Sequence, residues 1–106
     1  MEELSTDDYY VYIITDKDKM ELETGLAGVL SISLQQLESK PETDGGNICK
    51  YLLYWEGYED ALKAITREKK LKKLSKKKKI ELINKANPEW RFLNEAVQNK
   101  ETAQNK

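Results

Sequence analysis

A chain of 106 residues supports one domain with a single modest core and is too short for two. It has no histidine and one cysteine, which excludes the common zinc sites, Ser-His and Cys-His catalytic arrangements, and any disulfide within the chain. Its 18 basic and 19 acidic side chains nearly cancel to a net charge of −1, but residues 1–46 hold 11 acids and 3 bases (net −8) while residues 47–106 hold 8 acids and 15 bases (net +7).

No apolar run reaches the length of a membrane span or a signal peptide, so a soluble, cytoplasmic protein without a membrane partner is expected. Residues 1–8 read as an acidic tail, 9–97 as the folded domain and 98–106 as a polar tail. Tyr9 to Thr15, rich in β-branched and aromatic residues, predicts a strand. Asp16-Lys17-Asp18-Lys19 reads as a solvated turn, too poor in ligands for calcium, and Met20 to Thr24 as the returning strand of a hairpin. Gly25, Ala27 and Gly28 lead into an amphipathic helix from about Val29 to Ser39, ended by Pro41 and the Thr43-Asp44-Gly45-Gly46 loop. Cys49 to Glu56 is a third strand, with Cys49 expected to pack in the core. Glu59 to Leu74 is a second helix with two acids in its first turn and bases in its last, as the helix dipole favours. Ser75 is the expected N-cap of a third helix running to about Ala86, Asn87-Pro88 breaks it, and Glu89 to Val97 is a short closing helix with Trp90 as a core anchor.

The chemistry concentrates between Arg67 and Lys79, where Arg67, Lys69, Lys70, Lys72, Lys73 and Lys76, Lys77, Lys78 and Lys79 are opposed only by Glu68. This density favours a polyanion such as DNA or RNA, or docking against the acidic half, in the same chain or in a homo-oligomer. Lys76 to Lys79 fall in the first turn of a helix and oppose its dipole, a cost on the order of 1 kcal/mol in sum that folding alone does not require. Amide N–H groups behind the Ser75 cap, ringed by lysines, suit a phosphate. Glu68 falls on the apolar stripe made by Ala61, Ala64, Ile65, Leu71 and Leu74. A carboxylate there should be ion-paired, at a wet edge of the core, or bound to a cation.

The expected fold is α+β, a small antiparallel three-stranded sheet flanked by helices in the order β-β-α-β-α-α. With these residues, it resembles the small single-domain members of the GIY-YIG endonuclease superfamily over about Tyr9 to Ala96. The marks are Tyr10-Val11-Tyr12-Ile13-Ile14-Thr15 for the first motif, Gly25 for the glycine of the second and Leu53-Tyr54 in the third strand. Ala64-Ile65, Arg67-Glu68-Lys69 and Leu71-Lys72-Lys73 match the glutamate-bearing helix, and Asn87-Pro88-Glu89-Trp90 the closing turn. The resemblance implies phosphodiester cleavage, with Glu68 holding Mg2+ or Mn2+ and Tyr12 positioning or deprotonating water. It also implies a second tyrosine and a catalytic arginine, and this chain has Glu23 and Ser33 at those positions, with Leu37 at the usual helix histidine. Loss of a fixed positive charge and of a water-orienting hydroxyl each commonly costs orders of magnitude in rate. The expectation is a catalytically impaired domain that binds nucleic acid. The alternatives are an active endonuclease with a rearranged Glu23–Glu68 metal pair, or a protein-interaction domain.

Overall fold

A computed structural model of the chain describes residues 8–39 and 48–97. The Pro41 and Thr43–Gly46 expectations, residues 1–7 of the acidic tail and the polar tail from residue 98 lie outside the described residues. The elements are β1 (Tyr9–Thr15), β2 (Leu22–Ala27), α1 (Leu30–Glu38), β3 (Tyr51–Tyr58), α2 (Ala61–Lys73) and α3 (Lys76–Ala86). The architecture is the expected α+β arrangement, a three-stranded antiparallel sheet in the order β2-β1-β3 with helices on both faces. No described helix is long and apolar enough to cross a membrane.

Alternation along β1 decides the two layers. Tyr10, Tyr12 and Ile14 turn to the face covered by α1, where Ile14, Ala27, Leu30, Leu34, Leu52 and Val97 form a cluster with Cys49 packed against it. Val11 and Ile13 turn to the opposite face, Val11 meeting Ala64 and Leu71 of α2 and Ile13 meeting Leu53 and Ile83 of α3. Ile13 pairs with Tyr54 but Ile14 pairs with Leu52, so the register skips a residue. Leu53 is the extra residue of this bulge, which lets the adjacent Leu53 and Tyr54 both pack on the Ile13 side while Leu52 enters the α1 cluster.

Several boundaries differ from the sequence expectation. β2 runs through Gly25 to Ala27 instead of ending at Thr24, because the pairing continues as Tyr12 opposite Gly25 and Tyr10 opposite Ala27. β3 is displaced to Tyr51–Tyr58. Asp60 is the N-cap of α2, its carboxylate accepting the Lys63 N–H at 3.1 Å, so the first turn itself contains no acid. Ile65 is 36% exposed and lies off the buried stripe, which Ala64 and Leu71 carry. The closing helix is one turn at residues 94–97, because the segment before it is used differently. The Leu93 N–H donates to the Leu52 carbonyl at 2.8 Å, and buried Asn94 continues the pairing with its side chain. Its Oδ1 accepts from Leu52 N–H (2.7 Å), and its Nδ2 donates to Lys50 O (2.9 Å) and Glu38 Oε2 (2.8 Å). An amide side chain thus acts as a strand residue along β3 and ties it to α1.

The β1–β2 turn is also not the solvated loop its charges suggest. Asp16 is fully buried, and its Oδ1 accepts the N–H groups of Met20 (2.7 Å) and Glu21 (3.2 Å). Burial by itself would raise its pKa, but these backbone hydrogen bonds outweigh it and hold the carboxyl below the usual carboxylate range. Asp18 stays exposed at the tip.

Candidate functional site

Pairing of β1 with β2 sets Tyr12 beside Gly25 and Ile14 beside Glu23, so Tyr12 and Glu23 project from one face. The tyrosine ring lies directly over the glycine: a Cβ at Gly25 would fall 2.5 Å from Tyr12 Oη and 2.7 Å from Cε1. Any side chain at Gly25 would therefore force the Tyr12 ring to move. The Tyr12 phenol is pushed above its ordinary pKa, first by burial and then by the negative charges of Glu23 and Glu68. The fold thus brings three of the sequence-identified residues within electrostatic reach of one another. Such a phenol stays protonated at neutral pH, so it is available to donate a hydrogen bond, and the phenolate that could act as a base is depleted.

Glu68 is ion-paired. Its Oε2 lies 3.1 Å from Lys72 Nζ one turn along α2, and its side chain is 17% exposed, at the wet edge of the core. A divalent cation at Glu68 would compete with Lys72 for this carboxylate. Glu23 is exposed, and among the described residues no group of three acidic, cysteine or histidine side chains is placed to hold a metal. Ser33 is half-buried on α1, and Leu37 packs against the α1 cluster. Neither supplies the charge or proton carrier expected at its position.

Arg67, expected to contact nucleic acid, is committed elsewhere. It grips Glu56 of β3 through two parallel hydrogen bonds, Nε to Oε1 and Nη2 to Oε2, both 3.0 Å. The Tyr58 hydroxyl donates to Glu56 Oε1 at 2.6 Å, and the Tyr54 hydroxyl to Oε2. For the Glu56 carboxyl, burial acts upward, but the hydrogen bonds from Arg67, Tyr54 and Tyr58 prevail and lower its pKa. The Tyr54 phenol is pushed up to about 12, first by burial and then by Glu56. Sequence reading missed this cluster. Its signal was the alternation Tyr54, Glu56, Tyr58, which puts a carboxylate between two aromatics on the helix-facing side of a strand.

The remaining cations form an open surface. Lys69, Lys70 and Lys73 on α2 and Lys77 and Lys78 on α3 are exposed, with no acidic partner within ion-pair distance among the described residues. Lys79 is half-buried. Lys76 is engaged instead, its Nζ donating to the Met20 carbonyl of the hairpin tip at 2.6 Å. The Ser75 cap is as expected, with Oγ accepting the Lys78 N–H at 3.2 Å. That bond removes one of the amides otherwise available to a phosphate.

Trp90 anchors the closing turn. It packs beside Ile83 and Leu53, and its indole N–H donates to Asn84 Oδ1 at 2.5 Å. Asn87 fixes the turn with its side chain, donating to the carbonyls of Leu53 (3.1 Å) and Arg91 (3.0 Å). Comparison of the chain with protein-family models, with curated proteins and with solved structures finds no match.

Proposed function

We propose that this is a GIY-YIG-like domain impaired in cleavage, which acts by binding nucleic acid through the lysines of α2 and α3. The observation that carries this reading is the exposed set Lys69, Lys70, Lys73, Lys77 and Lys78, two helices' worth of cations without acidic partners among the described residues. A surface of this kind neutralises phosphates and releases counterions, giving affinity without sequence readout. The impairment follows from Ser33, which brings no positive charge to a transition state, and from Glu23, which adds a negative one beside Tyr12.

The test is a fluorescence titration of short DNA and RNA at several salt concentrations, beside a variant carrying Lys77→Ala, Lys78→Ala and Lys79→Ala. Expected is saturable binding that weakens linearly in log salt, with a slope shallower by about 0.9 for each phosphate of B-DNA that the variant no longer neutralises. Absence of binding at low salt would overturn the reading and favour a protein partner.

The shared reach of Glu23 and Glu68 to Tyr12 favours a second reading, a rearranged metal-dependent endonuclease that would take Mg2+ or Mn2+ at those carboxylates. Cleavage with either ion that is abolished by Glu68→Gln and by Glu23→Gln would establish it. The expected outcome is no cleavage above that of the Glu68→Gln control.

A further inference from the structure

We propose that the partner is the backbone of a nucleic-acid duplex and that the β1–β2 hairpin tip belongs to the binding surface, with Lys17 and Lys19 contacting phosphates beside the helix lysines. This rests on the reading above that the α2 and α3 lysines bind nucleic acid. In the sequence, the tip lies in the acidic half, about sixty residues from those lysines. In the fold, the Lys76 Nζ to Met20 carbonyl bond at 2.6 Å draws the tip against the start of α3. Lys17 and Lys19 are both exposed there.

The tip is held in place. Buried Asp16 accepts the N–H groups of Met20 and Glu21, and the Lys19 N–H donates to the Asp16 carbonyl at 3.0 Å. Lys19 has φ 60°, a left-handed conformation that glycine or asparagine would adopt with less strain, so the position carries a cation at some conformational cost. Its ammonium lies 5.2 Å from the centre of the Phe92 ring, so a second contact fixes it.

The aromatic side chains decide between a duplex and a single strand. Proteins that bind unpaired strands combine a basic groove with exposed ring faces on which bases stack. On the α2–α3 side the rings are packed inward: Tyr54 and Trp90 against the Ile83 cluster and Tyr58 against the Val11 cluster, with both tyrosine hydroxyls held by Glu56. Phe92 is 39% exposed, but its ring is stacked on Tyr51 at 4.4 Å and carries the Lys19 ammonium over it, so it offers no open face. Trp55 is 37% exposed but pairs with Tyr12 on the opposite face of the sheet. The cations are therefore arranged for backbone contact, spread over a turn and two helices, with no stacking platform beside them among the described residues.

The experiment compares binding of a short duplex and of its separate strands across salt concentrations, for the native chain, for Lys17→Ala with Lys19→Ala, and for Lys17→Arg with Lys19→Arg. Expected is tighter binding of the duplex, a log–log salt slope shallower by about 1 per lysine removed in the alanine variant, and the native slope in the arginine variant. Equal or tighter binding of the single strands overturns the inference, as does a native slope in the alanine variant. Either leaves the underlying reading standing, whereas binding of neither form at low salt removes both.

Discussion

Gly25 and Glu56 are the positions at which one side chain does most. Gly25→Ala would put a Cβ against the Tyr12 ring, and the ring must swing off the strand. The expected cost is about 1 kcal/mol by denaturant titration, with the Tyr12 phenol falling back toward its ordinary pKa as it leaves its buried position and the two carboxylates. NMR titration of the tyrosine ring carbons checks this. A phenol that keeps its raised pKa would show that the ring does not depend on the glycine. Glu56→Gln would leave Arg67 half-buried without its charge partner, an expected loss of about 2 kcal/mol. Because the folded-state pKa of Glu56 is lowered, its stabilisation is fully present above the unfolded carboxylate value and is lost as pH falls through the folded one. Native stability should therefore drop on acidification more steeply than that of Glu56→Gln, measured by denaturant midpoints from about pH 6 downward. Neither residue's role was open to sequence reading in full. Tyr12 and Glu23 could be placed by strand alternation, but Gly25 lay beyond the expected strand, and the Arg67–Glu56 grip joins residues on a helix and a strand whose facing only packing determines.

Among the elements, the start of α3 and the β3 edge are the most revealing. Four lysines in the first turn of α3 oppose its dipole, so Lys77→Ala with Lys78→Ala should raise stability by about 0.5 kcal/mol while weakening nucleic-acid binding. A variant that binds worse and is also less stable would instead give these lysines a structural part. The edge of β3 depends on Asn94. Asn94→Ala leaves the buried Leu52 N–H and the Lys50 carbonyl without these partners, an expected loss of about 2 kcal/mol by denaturant titration, larger than a surface substitution produces. This edge pairing explains why the closing segment is one helical turn and not the longer helix expected from Glu89 onward. Periodicity registers apolar faces, and it is blind to an asparagine that substitutes for a strand's backbone.

At the scale of the whole molecule, the opposed charges of the two halves allow two outcomes, binding a polyanion or pairing copies acid to base. The hairpin tip, though part of the acidic half, sits against the basic one through Lys76, and the exposed lysines leave the basic surface open to phosphate. Sedimentation at low ionic strength should therefore give a monomer, and salt-sensitive oligomers would favour self-association instead. The sequence by itself determined the α+β order, the hairpin, the Ser75 cap and the cationic density of Arg67 to Lys79, because alternation, capping chemistry and charge are local properties. The tertiary structure decided which charges are free. It buried Asp16 under backbone amides, gave Arg67 to Glu56, Lys72 to Glu68 and Lys76 to the Met20 carbonyl, and left the other helix lysines, half-buried Lys79 apart, exposed. Pairing between distant segments depends on how the faces of helices and strands meet, and no stretch of the chain encodes that alone.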